Sequence, residues 1–279
     1  MELIFILSTL TGPLLLAAMG GLTSERSGIM NIALEGFMLT SACVVAVVSV
    51  ATGNPVVGVL AGLAAAIVMA LLHALLTQAY RIDHIISGMA INLVALGGTN
   101  FLDKRFTDLS RQGEIPQIPM LVFDVLAFGL PVLLWLYLKR TRGGLRLLAV
   151  GNDPDKARQM GVDPIRVRYA ALAATGLLCG LSGAMIVTNA GRFTDGMTAG
   201  RGFIALAALI LGGWKPIPTA VACLGFGALY TLQLQLQGSQ LFGANLPSQF
   251  WNALPYLVTV IAMAGFLGKS RAPAGLGKE

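Results

Sequence analysis

The stretch Glu25-Arg26-Ser27-Gly28-Ile29-Met30-Asn31-Ile32-Ala33-Leu34-Glu35-Gly36 sets two carboxylates, an arginine and an asparagine between two long apolar runs. After Glu35 no residue is formally charged until Arg81. Polar groups inside a membrane-length apolar sequence are costly unless they line a wet cavity or meet another polar surface. Residues of these types can hydrogen-bond an uncharged polar solute or a neighbouring helix. The stretch therefore reads as the start of a discontinuous transmembrane helix, broken at Ser27-Gly28. Asn31 and Glu35, four residues apart, would share one face of its helical part. The competing reading is a cytosolic loop that ends at Glu35.

Other polar groups at membrane depth are few. Asn92 follows the small-residue segment Ser87-Gly88-Met89-Ala90-Ile91, Asn189 lies near the end of an apolar run, and Gln233 and Gln235 lie near another. With Asn31 and Glu35, Asn92 and Asn189 are candidates for a polar translocation pathway. For Asn92 the alternative is an interhelical hydrogen bond that only holds the bundle, and for Gln233 and Gln235 that alternative is favoured. His73 and His84 have no carboxylate or cysteine at a ligand spacing, so no metal site is expected. His84, beside Arg81 and Asp83, reads as a boundary residue. Cys43, Cys179 and Cys223 each fall inside an apolar run and read as small packing residues. No Ser-His-Asp arrangement, paired catalytic carboxylates or G-x-x-x-x-G-K-[ST] motif is present, so the chain is not expected to hydrolyse ATP itself or to be an enzyme.

The elements that must position these residues follow from composition. The chain has 279 residues, of which 56% are hydrophobic and 11% charged. Soluble domains average about 25% charged residues, and the mean hydropathy here is +0.76. The expected class is an all-α polytopic membrane protein, one transmembrane domain over residues 1–279 with about eight or nine spans. The net charge of +6 does not imply nucleic acid, because its basic residues concentrate in a few connecting segments. Apolar runs fall near residues 2–20, 36–51, 55–77, 84–102, 120–138, 168–189, 203–213, 216–236 and 250–268. The first lacks a basic leader and reads as a retained span. The run at 203–213 is too short to cross alone and is followed by Pro216 and Pro218, so a short or broken span is expected there.

Segment 139–168 carries Lys139, Arg140, Arg142, Arg146, Lys156, Arg158, Arg166 and Arg168, and the tail carries Lys269, Arg271 and Lys278. The positive-inside rule places both in the cytoplasm and the N-terminus outside. Gly28–Leu39 and Gly200–Leu211 align without gaps at Gly, Ile, Ala and Leu positions. On this topology they cross in opposite directions, as an inverted repeat about a central pathway would require. Within 139–168, Asn152 or Asp153 suits an N-cap, Pro154 the first helical position and Gly161 a C-terminal cap. A helix of about two turns is expected around Pro154–Met160, too short to be stable unless docked. A solvated loop is the alternative.

The opening stretch resembles, nearly residue for residue, the E-R-S-G-x-x-N-I-x-L-E-G signature of permease subunits in the nucleoside and simple-sugar branch of bacterial ATP-binding cassette (ABC) importers. That branch lies within the branched-chain amino acid and ribose permease superfamily. Gly196-Met197-Thr198-Ala199-Gly200-Arg201-Gly202-Phe203-Ile204-Ala205-Leu206-Ala207 resembles its late motif. The central segment resembles its G-x-x-x-x-A-A-x-x-x-G coupling pattern, with Gly151, Ala157 and Gly161 matching and Lys156 replacing a small residue. The resemblance covers nearly the whole chain, and by its compact length the chain is expected to lack an N-terminal span present in longer relatives. It implies an importer of nucleosides, nucleobases or simple sugars in the bacterial inner membrane, with no cofactor in this subunit. The implied partners are a second homologous permease subunit, a separate ABC ATPase with tandem nucleotide-binding domains, and an extracytoplasmic substrate-binding protein. It also implies ATPase coupling through Gly151, Asn152, Asp153, Pro154, Ala157, Arg158 and Gly161. The competing function is an ion-coupled secondary transporter of small polar solutes, for which Glu35 is the one available carboxylate. A third is a structural membrane subunit with no pathway.

Overall fold

The structure is a computed structural model and describes residues 2–105, 115, 118–236, 240–241, 244–245, 257, 260 and 272–278. Helix α1 spans Glu2–Arg26 and α2 spans Leu34–Thr52, stopped by Gly53 at φ 66°. Asn54 and Pro55 then start α3, Pro55–Ala74. The Asn54 side chain accepts from the backbone of Val56 and Val57, and Pro55 has no amide hydrogen that would need an acceptor there. A π-turn over Leu75–Ala79 extends α3. Helix α4 spans His84–Arg105 and α5 Met120–Arg140. Two short helices follow, α6 over Arg142–Asn152 and α7 over Pro154–Gln159. Helix α8 spans Pro164–Ala190, α9 Arg201–Leu211 and α10 Pro216–Leu236. A two-residue antiparallel ladder pairs Gln240–Leu241 with Ala244–Asn245.

Among the described residues, seven helices are long and apolar enough to cross a membrane, and α9 is a shorter apolar helix. These match eight of the nine expected apolar runs; apart from residues 257 and 260, the run at 250–268 lies outside the described residues. The segment 139–168 departs from expectation. Besides the short helix at Pro154, it folds residues 142–152 into α6, whose Leu147 and Val150 are buried.

Helices α1, α2 and α8 form the inner layer, while α3, α4, α5 and α10 expose most of their apolar side chains. Apolar outer faces are stable in lipid, so helix association has to come from close packing and hydrogen bonds. Glycine supplies the packing. A side chain at Gly183 would strike the Met38 carbonyl, and one at Gly176 would meet the α3 backbone at Ala66 and Ile67. Hydroxyls supply the bonds. Ser41 donates to the Gly180 carbonyl at 2.8 Å, Ser182 to Pro13 at 2.7 Å, and Thr175 to Gly20 at 2.8 Å.

Candidate functional site

The polar centre of the fold is the gap between α1 and α2. Gly28 turns the chain at φ 95°, a left-handed conformation that side-chain-bearing residues rarely adopt. Residues 29–33 are not helical. Asn31 is fully buried; its Oδ1 accepts from the Ala33 amide at 3.0 Å and its Nδ2 donates to Ser24 Oγ at 3.2 Å. The expectation that Asn31 and Glu35 share a helix face is thus corrected, since Asn31 lies before the helix. An asparagine that bonds its own backbone two residues on holds a turn and competes with helix formation.

This leaves the first amides of α2 without a side-chain cap from Ala33. Asn92 of α4 supplies one: its Oδ1 accepts from the Gly36 amide at 2.8 Å, and its Nδ2 donates to the Ile32 carbonyl at 2.9 Å. One side chain therefore braces both edges of the gap. His84, at the start of α4, accepts from the Met30 amide at 3.2 Å through Nδ1.

Glu35 connects the gap to the second half of the molecule. Its Oε1 accepts from the Gly200 amide at 2.8 Å and its Oε2 from the Gly202 amide at 2.7 Å. Amides at a helix start have no partner within the helix, and the helix dipole favours an anion there. Glu35 thus caps α9 from outside. A side chain at Gly202 would meet the Glu35 backbone 2.5 Å away, so glycine is required for this approach. The two segments that align in sequence hence lie against each other at their helix starts. From that point α9 runs toward Trp214 and the end of α1, and α2 runs the opposite way.

At the α1 end, Trp214 donates its indole N–H to Glu25 at 2.5 Å, and Arg26 Nε donates to the Trp214 carbonyl at 2.6 Å. Arg168 is 3% exposed. It donates to the Ser27 carbonyl at 3.4 Å, to Gln78 Oε1 at 2.9 Å and to the Lys278 carbonyl at 2.8 Å. The tail adds two backbone bonds, Gly277 N–H to the Gly28 carbonyl at 2.9 Å and Gly275 N–H to the Gly151 carbonyl at 3.0 Å. Tail and central segment therefore share one side of the bundle, in agreement with their lysine and arginine content. Neither Trp214 nor Arg168 stands out as a site residue in the sequence, where Arg168 counts only among the basic residues of segment 139–168.

In the central segment, Asp153 ends α6 and caps α7, accepting from the Lys156 amide at 3.0 Å. That bond and the Lys156 ammonium, 3.0 Å away, hold its carboxyl below the ordinary aspartate range. Pro154 occupies the first turn and Gly161 follows the helix at φ 80°. Two expectations are corrected here. Ala157 is 2% exposed, so it packs inside this chain and leaves no room for a partner. Gly151 is buried as well, and a side chain on it would collide with the Arg26 carbonyl; it fits α6 against α1. The outer face presents Asn152, Arg158, Met160 and Gly161, with Met160 83% exposed. Asn189 sits in the last turn of α8, exposed at the far end of the bundle, and is not brought together with Asn31, Glu35 and Asn92.

Among the described residues no group of three His, Cys, Asp or Glu side chains could hold a metal. What the arrangement does is brace interrupted helices, with Glu35 and Asn92 half-buried at the two braces. Broken spans pinned by polar side chains in a multi-pass bundle define a membrane transport subunit. The chain belongs to the family described as the permease component of branched-chain amino acid transport systems, whose pattern matches residues 3–263. It is 35% identical to the guanosine ABC transporter permease protein NupQ of Bacillus subtilis, over 95% of this chain and 92% of that protein. It is likewise 35% identical to the nucleoside ABC transporter permease protein NupC of Lactococcus lactis, over 94% and 90%. A putative glucose ABC transporter permease protein of Haloferax volcanii, TsgC13, is 32% identical over 90% and 87%.

Proposed function

We propose that this chain is one of two permease subunits of an ATP-driven importer of nucleosides in a bacterial cytoplasmic membrane. The second subunit is a homologous permease, a separate ATPase with tandem nucleotide-binding domains lies below, and a binding protein delivers substrate from outside. The observation that carries the substrate is the 35% identity, over nearly the full length of both chains, to permeases named for guanosine and for nucleosides. In this reading the gap around Gly28 is the hinge of the pathway. Glu35 and Asn92 fix the starts of α9 and α2 at its edge, and Asn31 holds the turn between α1 and α2. The exposed face of α6 and α7, with Asn152, Arg158, Met160 and Gly161, receives the ATPase. Movement there reaches the hinge through Gly151, which packs on the Arg26 carbonyl beside Gly28. An ion-coupled mechanism is less well supported, because Glu35 already accepts two amide hydrogens.

The test is uptake of labelled guanosine by cells that lack other nucleoside importers and express the gene cluster of this chain, with unlabelled adenosine, cytidine or glucose as competitor. Uptake that nucleosides compete away and glucose does not is the expected result. Competition by glucose alone would move the substrate to the sugars. Arg158→Glu with Met160→Ser should lower uptake and the stimulation of ATPase activity together while the subunit remains in the membrane; normal coupling in that variant would rule out this docking face.

A further inference from the structure

A cavity of about 380 Å³ opens between the ends of α1, α5 and the start of α10, with Arg26, Trp135, Lys139 and Lys215 in its wall. Its remaining lining is Leu138, Leu148, Pro216, Ile217 and Pro218, so no carboxylate faces into it. Arg26 is the last residue of one span, Lys139 the penultimate residue of another, and Lys215 directly precedes a third. All three cations therefore lie at one depth, the boundary of the apolar layer, on the side that carries the central segment. Among the described residues none of them forms an ion pair; the three ion pairs present all lie between Asp153 and Arg166. Lys139 Nζ rests 4.7 Å from the Trp135 ring centre. The only hydrogen bond described for the Arg26 side chain is from Nε, so its two terminal nitrogens can still donate. Toward the apolar layer the neighbouring surface is exposed and greasy: on the face of α5 that carries Trp135 and Lys139, Phe128 is 40% and Val132 50% accessible, and on α10 Ile217 is 41% and Val221 62%. A second cavity, beside α8, also has two arginines, but there Arg166 is already paired with Asp163 at 3.1 Å.

We infer that this cavity binds the headgroup of an anionic phospholipid, its phosphate held by Arg26, Lys139 and Lys215 and its acyl chains lying along α5 and α10. Three converging cations match a phosphate-bearing anion and leave an excess that a zwitterionic headgroup would not neutralise. The planar guanidinium of Arg26 can take two phosphate oxygens together. Trp135 has the amphipathic ring that settles at headgroup level. The continuous apolar surface above the cations favours a lipid over a free anion, because a free anion gains nothing from it. This site is independent of the transported substrate, and it joins α1, whose Arg26 meets the Trp214 carbonyl, to α5 and α10.

The test is lipid binding to the complete complex, purified in detergent and titrated with phosphatidylglycerol or with phosphatidylcholine of the same acyl chains, read by native mass spectrometry. The expected result is saturable binding of phosphatidylglycerol at one strong site per subunit and none of phosphatidylcholine. Lys139→Gln with Lys215→Gln removes two exposed cations and should weaken that site about thirtyfold, at about one kilocalorie per cation near an anionic headgroup. Lys139→Arg with Lys215→Arg should retain it. Arg146→Gln with Arg166→Gln, which removes the two cations of the second cavity on the same side, should leave it unchanged. Equal affinity in the first variant and the parent, with equal thermal stability, would overturn the site. Full displacement of the lipid by millimolar inorganic phosphate would overturn the lipid as occupant.

Discussion

Glu35→Gln tests the central brace with little change of shape. The carboxylate accepts the Gly200 amide at 2.8 Å and the Gly202 amide at 2.7 Å through separate oxygens. A glutamine keeps one acceptor and turns an NH₂ group toward the other amide, leaving that donor unpaired. A hydrogen bond to a charged group contributes about 1.5–3 kcal/mol, and a buried donor left unmet costs a similar amount. Some relaxation follows, so a net loss of about 2 kcal/mol is a reasonable working value, or about thirtyfold in the equilibrium for opening the start of α9. Thr198, 1% exposed and two residues before Gly200, can report that opening. Its hydroxyl has no hydrogen-bond partner among the described residues, so Thr198→Cys removes no bond. In a background with Cys43, Cys179 and Cys223 replaced by serine or alanine, the rate of maleimide labelling follows the open population when closing is faster than reaction. The expected result is a rate about thirtyfold higher with Glu35→Gln than with Glu35, accompanied by lower uptake. Labelling equal to that of the parent would show that the carboxylate does not hold α9, and the hinge built on it would fall.

Gly151→Ala should destabilise the contact of α6 with α1 by about 1–3 kcal/mol, the usual cost of overpacking, and lower uptake; a thermal-melting midpoint equal to the parent's would show that α6 does not press on the Arg26 carbonyl. Gly161→Ala meets open space, at φ 80°, and should cost only about 1 kcal/mol of backbone strain. Trp214→Phe removes one donor to the buried Glu25 carboxylate and should cost about 1–3 kcal/mol, measured as faster thermal inactivation in detergent that Glu25→Gln does not worsen further. Deleting residues 272–278 removes the bonds to Gly28, Gly151 and Arg168, about 3 kcal/mol together; insertion into the membrane should be normal and uptake low, and full uptake would make the tail dispensable to the hinge.

Much of this architecture is legible in the residues before any coordinates. A long apolar run has few alternatives in a membrane, so the spans can be read directly, and the glycine at position 28 marks the break because nothing bulkier suits its backbone. Glu35 and Asn92 stand out by rarity at depth. Their partners do not, since both bond to backbone amides and carbonyls that any sequence would offer. Asn31 was placed on a helix because i and i+4 spacing is compatible with one; spacing cannot report that its side chain closes a turn instead. Ala157 and Gly151 look the same in sequence whether they face a partner or their own chain, because small residues permit close approach from either side. Arg168 shows the limit of counting charges: a cation in a basic segment is read as solvated, and only its three carbonyl acceptors reveal that it is internal.

The tail bonds give this fold a biosynthetic order. Gly28 emerges early in translation and turns the chain there, yet its carbonyl meets Gly277 only after most of the chain has been made and threaded. The Gly151 carbonyl waits in the same way for Gly275. Chains move from the ribosome into the membrane one segment at a time, and early parts fold before late ones exist. Until residues 275–278 arrive, the Gly28 and Gly151 carbonyls lack these partners and Arg168 lacks one of its acceptors. A chain cut short upstream of them would carry all its described spans and still present an unfinished polar seam, so the last few residues complete what the first turn of the chain began.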